Sequence, residues 1–270
     1  MSSTAIPFRK MHGLGNDFML IDGTLQPVDA KTLSVQAWAD RHTGVGFDQL
    51  LLLLPSRTAD VYCQIFNADG SEAEQCGNGM RCVAHYLYES GRVANSRTLT
   101  IETRSGKIQA ERQGAHQIEV EMGVPVLLPG WLELDVSFSA QPVRVFSLSL
   151  GNPHAILSVD ALEGFPVGAA GKSIGTHDQF SSGTNAGFVE KLNSHEVRLK
   201  TWERGVGETQ ACGTNACAAA IAGIHQGSLV SPVTVHVPRG QLTVVWQGEG
   251  QPVRLQGEAR EVFTGVCLMD

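Results

Sequence analysis

Residues 75–91 read QCGNGMRCVAHYLYESG, and residues 211–227 read ACGTNACAAAIAGIHQG. Each stretch opens on a Cys-Gly pair, runs through an apolar segment and stops at a glycine; 212 − 76 and 227 − 91 both equal 136. The same shift carries Leu14-Gly15-Asn16 onto Leu150-Gly151-Asn152, Gln49 onto Asn185 and Asn67 onto Glu203. One spacing shared by cysteines, helix stops and polar residues is the mark of an internal duplication. The chain reads as two similar halves, with a boundary near MGVPVLLPG (122–130), where two prolines and two glycines break the pattern.

Within each half a short polar turn feeds a strand: GNDFMLID in the first, GNPHAILSVD in the second. The runs QLLLLL, RTLTIET and PVTVHV have strand composition, and one helix follows in each half, over MRCVAHYLYES and NACAAAIAGIHQ. The second helix is Ala-rich and apolar nearly all round, which marks a buried helix. The expected fold is α/β of the α+β type: two pseudo-symmetric lobes, each a curved mixed sheet or barrel around a central buried helix, with the active site in the cleft between lobes.

Composition narrows the function. The chain has 270 residues, is 42% hydrophobic and carries 20 basic against 27 acidic residues, a formal charge of −7. No Lys/Arg-rich block appears, so nucleic acid is not the expected partner. The longest leucine run, Leu50 to Leu54, is too short to span a bilayer, and MSSTAIPFRKMHG has no apolar signal segment. A cytoplasmic protein with a small polar substrate is expected, and its six cysteines read as thiols rather than a disulfide framework.

Cys76 and Cys212 each lie just before a helix, separated from it by residues suited to tight turns. A helix start offers unpaired N–H groups and the positive end of the macrodipole, which stabilise an anion and lower a thiol's pKa. Both cysteines are candidate thiolates. If the two helix starts face each other, a substrate carbon between them has a thiol on each side: one removes a proton, the other returns one to the opposite face, and the stereocentre inverts. Helix N–H groups aimed at a carboxylate stabilise the anion formed, so no metal or pyridoxal cofactor is expected. Cys82, Cys217, Cys63 and Cys267 read as buried apolar residues. Zinc does not fit, because the cysteine spacings of six and five residues are not those of a CxxC site. FPVGAAGKS has Pro166 where a phosphate-binding loop needs glycine, and Lys172 reads as a solvated lysine.

The segments MHGLGNDF, GFDQLL, FNADGSEAEQCGNG, GNPH, NAGF and ERGVGETQACGT, in this order over essentially the whole chain, resemble the diaminopimelate epimerase family. The resemblance implies two lobes, residues 1–122 with 258–270 and residues 123–257, and a cofactor-independent epimerase acting on diaminopimelate for lysine and peptidoglycan precursors. It implies that Cys76 and Cys212 are the acid/base pair, and that Asn16, Gln49, Asn67, Asn152 and Asn185 bind substrate. Gly77, Asn78, Gly213 and Thr214 match the turn that holds the carboxylate at the reacting centre, with Arg204 for a carboxylate and Glu203 for an ammonium. His154 matches a position beside the thiols, where with Glu203 it sets their protonation. Thr214-Asn215 stand where many members have serine and glycine, and Phe263 where a tyrosine often contributes to the homodimer contact. The rival readings are a proline or hydroxyproline racemase of the same two-thiol kind, and a non-catalytic amino-acid-binding protein.

Overall fold

The computed structural model describes residues 5–73, 76–95 and 97–268, without the side chains of 128 and 129; Glu74 and Gln75 of the first cysteine motif lie outside these residues. The chain divides into two compact units, Met1–Val120 with Gly257–Asp270, and Glu121–Gln256.

The first unit runs β1 (Ala5–Gly13), β2 (Asn16–Asp22), a 3₁₀ turn (Ala30–Thr32), α1 (Val35–Ala39), β3 (Gln49–Leu54), β4 (Val61–Asn67), β5 (Glu72–Ala73), α2 (Gly77–Glu89), β6 (Leu99–Thr103), β7 (Gly106–Arg112) and β8 (Gln117–Glu121). The second follows with β9 (Val126–Leu134), β10 (Val143–Ser149), β11 (Pro153–Val159), α3 (Val167–Gly175), β12 (Asn185–Lys191), β13 (Glu196–Glu203), β14 (Gly207–Thr209), α4 (Gly213–His225), β15 (Val233–Val237), β16 (Gly240–Val245) and β17 (Arg254–Glu258). Strand β18 (Arg260–Leu268) then pairs antiparallel with β1 along its length, from Ala5 opposite Leu268 to His12 opposite Arg260.

The two units repeat one plan. In each, two parallel strands lie side by side (β2 with β3, β11 with β12), and an antiparallel strand follows (β4, β13). After a short strand comes a thirteen-residue helix, and α4 begins and ends 136 residues after α2: 213 − 77 and 225 − 89. Strands surround these helices. Helix α2 packs against β1, β2, β6, β7 and β18, and α4 against β10, β11, β12, β13, β15 and β16. Enclosure on all sides explains their composition. Ala216, Ala218, Ala219 and Ala220 are at most 1% exposed, because small side chains let strands approach α4 closely. Each helix stops at a glycine in the left-handed region, Gly91 at φ 70° and Gly227 at φ 73°.

Each unit also has a shorter helix on the other face of its sheet. Trp38 and Ala39 of α1 join Ile6, Phe8, Met19, Ile21, Leu50 and Leu52 in one apolar cluster. Leu51 faces α2 instead, where a Cβ on Gly79 would come within 3.1 Å of it. The leucine run of β3 is therefore continuous because both its faces are covered. Helix α3 buries Val167, Ala170 and Ile174 against Ala155, Ala186 and Phe188. The sequence reading gave each half a single helix, and α1 and α3 correct it: VGAAGKSIG is helical and lies against Trp202, which would sit 2.3 Å and 2.0 Å from a Cβ on Gly171 or Gly175. Lys172 is exposed on this helix. Among the described residues, no helix is long and apolar enough to cross a membrane.

Candidate active site

Parallel strands that start together, an antiparallel strand that ends beside them and a following helix start gather polar groups at one end of each unit. In the first unit Asn16 opens β2, Gln49 opens β3 and pairs opposite Asn67 at the end of β4, and Cys76 caps α2. Gln49 donates to Asn67 Oδ1 at 2.9 Å, and Asn67 donates to Ser71 Oγ at 3.0 Å. Asn16 donates to Asp48 at 2.8 Å and accepts from Asn78 at 3.1 Å. Asn78 in turn accepts from the fully buried Arg81 at 2.8 Å. The Cys76 Sγ lies 3.8 Å from Asn16 Oδ1 and accepts the Gly79 backbone N–H at 3.4 Å.

The second unit repeats the arrangement. Asn152 precedes β11, His154 pairs with Asn185 across β11 and β12, Glu203 ends β13, and Cys212 caps α4. Glu203 accepts from Thr209 Oγ1 at 2.5 Å. Asn185 accepts the Arg204 backbone N–H at 3.0 Å, while the exposed Arg204 guanidinium donates to the Ser182 carbonyl at 2.7 Å. The buried Cys212 Sγ lies 3.3 Å from Thr214 Oγ1. His154 is fully buried, with Nδ1 3.2 Å from Asn215 Oδ1 and Nε2 3.0 Å from Asn152 Oδ1.

Two expectations need correction. Gly77, Asn78, Gly213 and Thr214 form the first turns of α2 and α4, and the cysteines are themselves the capping residues. A first turn has no intrahelical acceptors for its N–H groups, so glycine, asparagine and threonine are tolerated there without ending the helix. The second correction concerns charge. Cys212 is not held as a thiolate: burial pushes its pKa up to about 12, and the neighbouring Glu203 carboxylate adds to the rise. The Thr214 hydroxyl and the Asn215 backbone N–H pull the other way and lose. Desolvation of a buried anion outweighs one helix terminus. Burial also lowers the His154 pKa, to about 4, so its ring is neutral at physiological pH.

Asn16, Gln49, Asn67, Cys76, Gly77 and Asn78 thus gather in one unit, and Asn152, His154, Asn185, Glu203, Arg204, Cys212, Gly213 and Thr214 in the other. Phe263 belongs to neither group. It lies on β18, 47% exposed, edge-on to Phe8 at 6.0 Å. The sequence reading passed over Asp48, Arg81, Ser71 and Thr209 and noted Asn215 only as a departure from the family pattern; all five hold the candidate residues in place. Arg81 had a visible signal, an arginine in the first turns of a helix with few charges.

Two like units, each with a cysteine at the start of its buried helix, have the fold found in several amino-acid epimerases and isomerases. A hydroxyproline epimerase from Agrobacterium vitis, solved with trans-4-hydroxy-L-proline, superposes with a TM-score of 0.72 at 17% identity, covering 100% of this chain and 93% of that one. A phenazine biosynthesis protein from Bacillus anthracis gives 0.76 at 16% identity, with 98% and 99% covered. At such identities the likeness concerns the fold alone. The sequence is more specific: the family described as diaminopimelate epimerase matches residues 8–128 and 146–262. Diaminopimelate epimerases of Ectopseudomonas mendocina and Pseudomonas aeruginosa are 45% and 44% identical over 269 residues, 96% of this chain and 97% of theirs. The chain belongs to the diaminopimelate epimerase family, a family of isomerases.

Proposed function

We propose that this protein interconverts LL- and meso-2,6-diaminopimelate by exchanging one proton at the α carbon between Cys76 and Cys212, with no cofactor. The observation that carries the proposal is the repeated half-site: each unit sets a cysteine at the cap of its enclosed helix, among amides that end the neighbouring strands. In this reading the half-sites close on a single substrate from opposite sides. The N–H groups of the two first turns, at Gly77, Asn78, Gly213 and Thr214, hold the carboxylate of the reacting centre and take up the charge that develops on it. Asn16, Gln49, Asn67, Asn152 and Asn185 fix the remaining polar groups, Arg204 takes the distal carboxylate and Glu203 the distal ammonium. Arg204, exposed beside Asn185, supports this assignment, since a proline-type substrate has no second amino-carboxylate for it to bind.

The roles of the thiols follow from charge. Cys212 is neutral, as a proton donor must be, and the Cys76 Sγ accepts the Gly79 backbone N–H at the start of its helix. As the Cys76 thiolate takes the α proton, the electron pair of the C–H bond passes into the carboxylate-stabilised anion, which collects the Cys212 proton on its other face. The reverse reaction exchanges the roles. His154, neutral and bound to two amides, serves as a fixed part of the frame.

The same reading places the protein in the cytoplasm, supplying lysine and peptidoglycan synthesis, as a homodimer. The exposed apolar residues Val262, Phe263, Val266 and Leu268 of β18 support the dimer, a strand that a second copy can cover. The deciding experiment incubates the reduced protein with LL-diaminopimelate in heavy water. Early meso product carrying solvent deuterium, with the remaining substrate still protiated, supports two one-proton bases; deuterium entering substrate without inversion means a single base and defeats the proposal.

A further inference from the structure

In the first half-site a line of hydrogen bonds runs from an exposed carboxylate to a buried oxygen that has no donor. The turn between β4 and β5 is closed by the Asn67 backbone N–H on the Ser71 carbonyl at 2.8 Å, which brings the side chains of 67, 69 and 71 together. Asp69 Oδ1 accepts the Ser71 hydroxyl at 2.6 Å and the Ser71 backbone N–H at 2.9 Å. These bonds, the hydroxyl's foremost, hold the Asp69 carboxyl below the ordinary carboxylate range, and an ionised carboxylate can only accept. The single hydrogen of the Ser71 hydroxyl is therefore on Asp69. Toward Asn67, 3.0 Å away, Ser71 Oγ can only accept, so the Asn67 amide meets it with Nδ2. That turns Asn67 Oδ1 to Gln49, which answers with Nε2 at 2.9 Å. Each amide has the orientation that the step before it requires. Gln49 Oε1 is the end left over: it is buried, with no hydrogen-bond partner among the described residues. A buried acceptor without a donor is costly, and a ligand N–H would relieve it.

We propose that Asp69 and Ser71 are positioning residues: they fix the Asn67 and Gln49 amides so that Gln49 meets the substrate with its oxygen, as the acceptor for a substrate N–H. This rests on Gln49 being a substrate-binding residue, as in the function proposed above, where the N–H groups of diaminopimelate are its ammonium groups.

The first test needs no substrate. Neutron diffraction from crystals of the deuterated full chain tells nitrogen from oxygen, and should find the Gln49 ND₂ on Asn67 and the Ser71 deuteron on Asp69; the reverse orientation of the amide pair overturns the proposal. The second test is kinetic. Ser71→Ala keeps the backbone turn and removes the relay, so the Gln49–Asn67 pair can invert as a unit. With both orientations equally populated only half the molecules bind, and KM should rise about twofold with kcat unchanged. Ser71→Thr, which restores the hydroxyl, should bring KM back. Gln49→Leu has no acceptor and should raise KM about tenfold or more, the factor one hydrogen bond to a charged group supplies. In that background the Ser71→Ala effect should shrink; full additivity would mean that Ser71 does not act through Gln49 and overturns the proposal. So would a fall in kcat matching the folded fraction at unchanged KM, the mark of a structural role only. Absence of solvent exchange in the unmodified protein would defeat the epimerase reading while leaving the neutron result intact, so the two failures are separable.

Discussion

Glu203 opposes the ionisation of Cys212, and that opposition has a measurable sign. Burial sets most of the rise to about 12 and the carboxylate adds to it, so Glu203→Gln should lower the thiol pKa. Alkylation rates against pH in a Cys76→Ser background report the shift, and an unmoved profile would mean that Glu203 leaves Cys212 untouched. Replacing either Cys76 or Cys212 by alanine should reduce turnover by at least about 10²–10⁴-fold, the range of a positioned acid or base. The sequence made both cysteines legible through the repeated Cys-Gly pair. It could not give their protonation, because a helix terminus is visible in sequence, whereas the burial that overrides it at Cys212 comes from residues far along the chain.

Among the elements, α2 and α4 were readable because both carry few charges, α4 being apolar nearly all round, and because each must end somewhere, where Gly91 and Gly227 stand. An alanine at either position meets no neighbour within 4 Å, so its cost is backbone strain alone, about 1 kcal/mol. Gly175 differs. Alanine there must push into the Trp202 ring, and Gly175→Ala should cost about 1–3 kcal/mol or more. Thermal melts that rank Gly175→Ala below Gly227→Ala bear this out; the reverse order would mean that α3 shifts freely on its strand. Helix α3 escaped the sequence reading for the same reason it packs closely. Gly168, Gly171 and Gly175 depress helix propensity, and contact with Trp202, a residue of another element, explains Gly171 and Gly175.

For the whole molecule, acid exposes one set of linked charges. Asp17 is partly buried, which by itself raises its pKa, yet hydrogen bonds from Arg41 at 2.8 Å and 3.0 Å and from Lys10 at 2.5 Å bring it down to about 2. A folded pKa below the ordinary 3.8 means that this contribution to stability is complete above that pH and lost as pH falls towards 2. Asp17→Asn should flatten this part of the acid-denaturation curve; an unchanged slope would assign it to other carboxylates. Oxidation reads the proposed meeting of the two thiols. A disulfide between Cys76 and Cys212 should stop turnover and a reductant restore it, whereas irreversible loss would count against their proximity. The pairing of β1 with β18 carries a consequence of a different kind. The ribosome delivers every strand of the second unit before the strand that closes the first, so Ile6 and Phe8 wait beside an open edge throughout. The first unit becomes whole only once β18 has been made, and until then the open edge of β1 is where a chaperone has reason to bind.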